Sequence, residues 1–495
     1  MKTTTLRKWL ASLAMLLCCT SAWAYDFEID GIYYNITSES EKTVAVTNGK
    51  YSKYSGHVII PDSVTHKEAT YHVTDIESRA FEFSRQMTSI DIPNSVVYIG
   101  DYAFGSCEQL TGITIPNGVK QIGIMTFYGC TKLAYVKIPN SVTRIGREAF
   151  GYCIGLISIE IPNSVTSIEK MAFKECTSLT SIEIPKNVTD LGPGIFSGCN
   201  NLTTMKVAKE NKVYDSRNDC NAIIETHTNT LVAGCGTTVI PNTVSEIGEM
   251  AFDCNDNLTL INIPNNVKKI NDFAFNESGL ASVKIPESVE SIGKLAFSRC
   301  KGLTSIEIPN SVRVIGENAF EYCYGLTSVK LSDNILNLES STFYNCEKLK
   351  SIEIPNKVVR IGNHAFYGCK SLASIIIPKR TKNIEKYAFC LCTNLSQVTC
   401  HATEPPICEI KVFEQVPRLN CKLIVPEESV EAYMAANEWR GFYTADGIEG
   451  LEDESIVDVY NLQGVTVKRQ VRMKDLQDTL PKGIYIINGK KIAVR

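Results

Sequence analysis

Histidine, tryptophan and long apolar runs are scarce in this chain, which has only six His and three Trp in 495 residues. The histidines stand at 57, 66, 72, 227, 364 and 401, in no spacing that would pair a metal or serve a nucleophile. No nucleophile elbow, phosphate-cradling glycine loop or His-Glu-x-x-His is present. Neither catalysis nor a cofactor is therefore expected. Basic side chains number 50 against 54 acidic, a net of −4, with no run of Lys and Arg to follow nucleic acid or an anionic membrane. Beyond the N-terminus no apolar stretch approaches the ~20 residues that span a bilayer, so no transmembrane segment is expected.

Repetition is what the chain has in abundance. Proline recurs at 93, 116, 139, 162 and 185, a step of 23 residues, and again at 241, 264, 286, 309, 355 and 378 on nearly the same beat. A fixed period of this length marks a solenoid. Superposed, the segments read Leu-x-x-Ile-x-Ile-Pro-x-x-Val-x-x-Ile-Gly-x-x-Ala-Phe-x-x-Cys, as in residues 179–199 with conservative changes, and about fourteen copies are legible. Leu-x-x-Ile-x-Ile turns three apolar residues inward, so successive copies stack as a parallel sheet about 4.8 Å apart. Phenylalanine fills its place thirteen times, from Phe81 and Phe104 through Phe366 and Phe389, which predicts a buried spine along the opposite wall. Glycine marks a turn at 100, 123, 146, 192, 248, 293, 316 and 362, but Glu169, Asn271, Glu339 and Glu385 fill the same slot. A positive φ is therefore not required there.

Cysteine follows the same beat. Ten residues, at 107, 130, 153, 176, 199, 300, 323, 346, 369 and 392, share one repeat position. Stacked in register they are a repeat rise apart, too far for the Cβ separation of about 3.5–4.5 Å that a disulfide needs, and they read as small buried thiols. Off the ladder, Cys390, Cys400, Cys408 and Cys421 gather near His401, and Cys220 and Cys235 flank an insert. Disulfides remain open in both places, as does zinc at the first, although paired Cys-x-x-Cys spacing is missing.

Five segments follow from these patterns. Lys2, Arg7 and Lys8 precede an apolar run over residues 9–19 and Ala22-Trp23-Ala24, a secretory signal peptide of residues 1–24 cut before Tyr25. Lipidation at Cys18 or Cys19 is the alternative, though Leu17 and Cys18 stand where a small residue normally precedes the lipidated Cys. Residues 25–80 read as an N-terminal β cap and 81–400 as the repeats. An insert at about 208–238 carries a hairpin, over 221–225 and 230–234, that should ride on the solenoid. Residues 401–446 form a C-terminal cap with a helix over 427–437, whose Val430, Tyr433 and Met434 share a face and which Trp439 and Phe442 follow. Residues 447–495 hold an acidic linker and a small β domain with an Asn488-Gly489 hairpin turn.

The outward places of the repeat strands are mostly Ser and Thr, with alternating charge at the fifth. The candidate ligand face is Tyr135, Lys137, Glu160, Glu183, Lys206, Lys284, Glu307, Lys330 and Glu353. Such a long mixed-charge face suits a protein met over many weak contacts, and it also suits a face that merely stays soluble. A glycan would want a platform of rings, but Tyr128, Tyr152, Tyr322, Tyr344 and Tyr367 fall beside the Phe spine, over the turns.

With Ile-Pro-Asn-Ser-Val, Ile-Gly and Ala-Phe-x-x-Cys recurring over residues 57–400, the array resembles the BspA-like leucine-rich repeat proteins of Bacteroidetes and related microbes. The run from His401 to Pro406, leading to Val425-Pro426 and Ala432-Tyr433, is similar to that family's C-terminal cap. The resemblance implies a leucine-rich repeat solenoid of the α/β-type repeat class, mostly β with short turns and β caps. It further implies an exported, extracellular or cell-surface protein, some relatives being adhesins for host matrix proteins or for other bacteria. The implied partner is thus an extracellular protein ligand, from host matrix or a bacterial surface; the alternative is a glycan-binding accessory surface protein. The tail, from Val459-Tyr460-Asn461-Leu462-Gln463-Gly464 to Gly483-Ile484-Tyr485, is similar to the C-terminal sorting domains of type IX secretion, with a plain accessory β module as the alternative.

Overall fold

The computed structural model describes residues 25–49, 53–442, 456–472, 475–487 and 490–494. The segments read from the sequence as a signal peptide and an acidic linker, and the Asn488-Gly489 pair, lie outside the described residues.

The path of one coil follows from its apolar spacing. Ser305–Glu307 is a strand with Ile306 buried between two exposed neighbours, and Pro309, which has no N–H to offer a ladder, lies just beyond its end. Val312 then turns inward, its N–H bonded to the Pro309 carbonyl at 3.0 Å, and the two-residue strand Val314–Ile315 follows. Leu303, Ile306, Ile308, Val312, Ile315, Ala319, Phe320 and Cys323 are all buried. The coil thus has three walls, each bonded to a neighbouring coil. Ser305–Glu307 pairs in parallel with Ser328–Lys330, and Val314–Ile315 with Ser291–Ile292. On the third wall the N–H groups of Asn318, Phe320 and Tyr322 meet the carbonyls of Ser340, Thr342 and Tyr344 at 2.7–3.0 Å. The Ile-Gly segment, a turn in the sequence reading, therefore opens with a second short parallel sheet.

Left-handed residues bend the third wall. Asn318 has φ 59° and Tyr322 φ 55°, and the same two places hold Tyr102 and Ser106, Met171 and Glu175, or Leu295 and Arg299 in other coils. Inter-coil hydrogen bonds hold these side-chain-bearing residues where glycine would be expected. The recurrent Gly serves a different need. A Cβ on Gly192 would lie 2.2 Å from the Lys170 nitrogen, so glycine there lets two coils close up.

The ladder cysteines are donors as well as filler. Each Sγ lies 3.1–3.3 Å from the carbonyl oxygen of the spine Phe in the coil before, from Cys107 on Phe81 to Cys392 on Phe366. Ser84 and Ser278, both buried, take the same place in two coils. All described cysteines are thiols rather than disulfides; the Cys220 and Cys235 sulfurs lie 3.7 Å and 3.5 Å from the carbonyls of Ala222 and Asn221.

By its contacts the chain forms two compact units: one runs to Leu202 and includes Val207–Lys212, the other comprises Thr203–Lys206 and everything from Val213. In the first, Phe27–Ile29, Ile32–Ser38 and Thr43–Thr47 form an antiparallel meander that continues in parallel onto Ala69–Ile76. Its spine rings run from Phe81 to Phe196 with centroids 5.2–5.6 Å apart.

The second unit stacks eight rings from Phe252 to Phe413 at 5.1–5.6 Å. Phe413 is a fourteenth spine member, hidden in the sequence because Val412 stands in the Ala place. The hairpin of Ala222–Glu225 and Thr230–Gly234 does not ride on this unit but builds into it. Thr230–Gly234 pairs in parallel with Glu246–Ile247, Ala222, Ile224 and Leu231 belong to the core, and the Phe252 ring covers Gly234 where a Cβ would come within 2.1 Å. At the far end, a 3-10 turn Glu427–Ser429 leads into the helix Val430–Ala435. Tyr433 donates to the Ala402 carbonyl at 2.8 Å and Trp439 to that of Pro406 at 2.9 Å, while Trp439 and Phe442 close over Phe413. The last strands, Ile456–Tyr460, Thr466–Arg472, Gly483–Ile487 and Lys490–Val494, form one antiparallel sheet around a small core that includes Val459, Leu476 and Tyr485. No helix among the described residues is long and apolar enough to cross a membrane.

Candidate recognition face

In the second unit the first wall of each coil contributes to one outward surface. Ser305–Glu307, Ser328–Lys330, Ser351–Glu353, Ser374–Ile377, Gln397–Cys400 and Lys422–Ile424 form a six-stranded parallel sheet, and Leu260–Asn262 pairs with Ser282–Lys284. In-register pairing turns each repeat position into a row. Along the fifth place, Asn262 is beside Lys284, Glu307 beside Lys330, and Glu353 beside Ile376. Lys330 and Glu307 form an ion pair. Their hydrogen bond holds the Glu307 carboxyl below its usual range and the Lys330 ammonium above its own. Both groups are exposed, so solvent screens the pair and it adds little stability.

The nine residues of the candidate face divide between the units. Lys206, Lys284, Glu307, Lys330 and Glu353 are exposed on strands of the second; the last four come from successive coils, with Lys284 near enough to Glu307 to act on its charge and Glu307 paired with Lys330. Tyr135, Lys137 and Glu183 are exposed on strands of the first unit, where Glu160 is exposed outside any strand.

Two apolar residues of this surface did not stand out in the sequence. Val239 is 73% and Leu260 71% exposed. They lie in neighbouring coils and, with Thr238, Asn262, Ser282 and Lys284, line a shallow hollow of about 540 Å³. A second hollow, about 560 Å³, is lined by Lys330, Asp333, Glu353 and Ile376 among others. The available signal was an apolar residue at an outward place: Val239 and Ile376 at the fifth, Leu260 at the third. Adjoining exposed apolar side chains ringed by polar strands are what a protein contact buries.

The turn-wall tyrosines pack on one another. Tyr322, Tyr344 and Tyr367 follow at centroid distances of 5.3 Å and 4.8 Å, and His364 stacks on Tyr387 at 4.9 Å. Burial lowers the His364 pKa and, with neighbouring phenols, pushes Tyr344 up to about 12. The rings spend their faces on each other rather than forming a flat platform for sugars. Among the described residues no group of three or more His, Cys, Asp or Glu is placed to hold a metal ion.

Comparison with known proteins agrees with the fold. The model of the BspA type leucine rich repeat region matches in six copies, over residues 74–203, 234–350 and 314–426. A leucine-rich cell surface protein of Faecalibacterium prausnitzii is 28% identical over 76% of this chain and 94% of its own, with a TM-score of 0.50. A leucine-rich repeat protein of Bacteroides ovatus is also 28% identical, over 84% of this chain and 98% of its own, with a TM-score of 0.45. The pneumococcal vaccine antigen PcpA shares the fold at 19% identity, over 82% of this chain and 99% of its own, with a TM-score of 0.56. No curated protein matches by sequence.

Proposed function

We propose, since the chain belongs to the BspA-type leucine-rich repeat family, that it is an exported recognition protein whose sheet face on the second unit binds an extracellular protein. The observation that carries this is the exposed pair Val239 and Leu260 beside the charged row Lys284, Glu307, Lys330 and Glu353. A buried apolar contact supplies affinity, and alternating charges set register along the coils. Adhesion, to host matrix or to other bacteria, is the role such a face would serve on a secreted or surface-held chain. The signal peptide at 1–24 and the similarity of the tail to type IX sorting domains support export; deleting residues 456–495 should then abolish surface delivery.

The test is capture from host-matrix and bacterial-surface extracts by the immobilised mature chain. A retained protein is expected, with loss on the order of tenfold for Val239→Glu with Leu260→Glu. Failure to retain any protein from both extracts would sink the reading.

A further inference from the structure

A second surface of the second unit departs from the rest in charge. Leu336, Val359, Lys382 and Ile407 stand one above another in four successive coils, the N–H groups of Val359, Lys382 and Ile407 each bonded to the carbonyl of the residue before in this row at 2.8 Å. Beside this row, Lys357, Lys379 and Arg380 come from the turns after the sheet strands. Together they line a groove of about 610 Å³ in which Glu404 is the one acidic residue among the described lining residues. Leu336 is 55% and Ile407 71% exposed, and Lys379, Arg380 and Lys382 are exposed too. Several cations of this unit are matched between coils, as Lys294 with Glu317, Lys370 with Glu347, and Arg360 with Glu339 and Glu385. Lys379, Arg380 and Lys382 have no such partner among the described residues. Lys357 donates to the Asn334 side chain at 2.6 Å, which leaves its charge uncompensated. The local sequence departs as well: Lys379-Arg380-Thr381 replaces the usual Asn-Ser-Val, and the buried Thr381 hydroxyl bonds the Val358 carbonyl at 3.1 Å to hold the turn.

We propose that this groove binds an acidic, apolar-containing segment of a partner protein, its carboxylates meeting Lys357, Lys379, Arg380 and Lys382 and an apolar side chain lying between Leu336 and Ile407. Charge complementarity selects the acid, and the interleaved apolar side chains select a peptide. Among the described residues the groove's lining has no aromatic ring, whereas single-stranded nucleic acid stacks its bases on such rings. A sulfated glycan would leave Leu336 and Ile407 uncovered. The proposal goes beyond the sheet face, since no residue is shared between the two surfaces, and either can fail alone.

The probe is a synthetic peptide of repeated Glu-Glu-Leu, followed by fluorescence anisotropy on the mature chain. Its Gln-Gln-Leu counterpart, heparin and phosphatidylserine vesicles are measured alongside. Binding of the acidic peptide should weaken with salt and fall on the order of tenfold in Lys379→Gln/Arg380→Gln/Lys382→Gln. It should fall in Leu336→Ser/Ile407→Ser as well, and be unchanged in Lys284→Gln/Lys330→Gln. These positions are on the surface, and circular dichroism of each variant is the check that it is folded. Equal binding of the Gln peptide, indifference to the triple substitution, or tighter binding of heparin or vesicles than of the acidic peptide would each overturn the proposal.

Discussion

Replacing Cys300 by Ser tests how the ladder works. Burial pushes the Cys300 thiol up to about 12, against a smaller opposing contribution from the Ser278 contact. In the unfolded chain the same thiol titrates near 8.5. A folded pKa above the unfolded one gives a contribution that is intact below ~8.5 and is lost as pH rises toward the folded value. At pH 10 that loss is about 2 kcal/mol for this one thiol. Burial pushes Cys323, Cys346, Cys369 and Cys392 in the same direction. Each of these thiols adds to the loss of stability at high pH in the same sense. Serine has no titration in this range, and its hydroxyl is sized to take over the bond to the Phe275 carbonyl, although the two natural serines of this place do not make that bond: Ser84 Oγ is buried without a partner and Ser278 Oγ lies 3.3 Å from Cys300 Sγ. Urea denaturation of residues 25–495 and of the same chain with Cys300→Ser, at neutral pH and near pH 10, reads the effect. The variant should be weaker by about 1 kcal/mol at neutral pH and gain ~2 kcal/mol on the parent by pH 10. Parallel pH slopes in the two proteins would refute the ladder as a set of buried, protonated donors.

Other perturbations act on packing. Phe320 stacks on Phe297 at 5.5 Å and on Phe343 at 5.6 Å, so Phe320→Ala should cost about 3–5 kcal/mol and loosen the adjoining coils by hydrogen exchange; unchanged protection there would contradict a continuous spine. Gly192→Ala should lower stability by roughly 1–3 kcal/mol, because its Cβ would meet the Lys170 backbone rather than a movable side chain, and a thermal melt equal to the parent's would show that the coils can part.

Much of the fold was legible because its core is periodic. Leu303, Ile306 and Phe320 announce their walls through spacing alone, and the Cys row follows from the same count. The thiol's hydrogen bond did not, since a buried donor and a compact apolar side chain look alike at one repeat position. The left-handed places escaped notice because Asn318, Tyr322 and their counterparts are set by inter-coil bonds and not by a glycine signature. The insert was visible as a hairpin, but only the pairing of Thr230–Gly234 with Glu246–Ile247 shows that it is part of the wall. On the candidate face, charge drew the eye to Lys284, Glu307, Lys330 and Glu353, whereas Val239 and Leu260 are apolar departures from a polar rule. The basic groove was hidden for a related reason: Lys357 lies in a different turn from Lys379, Arg380 and Lys382, so the full cluster exists only once the coils stack.

Hydrogen exchange on the mature chain, free and with its captured partner, tests most directly where recognition occurs. Protection is predicted over Leu260–Asn262 and Ser282–Lys284 and the following sheet strands, with the turn wall around Tyr344 and Tyr367 unchanged. Protection confined to that turn wall, with the sheet strands exchanging as in the free chain, would contradict it.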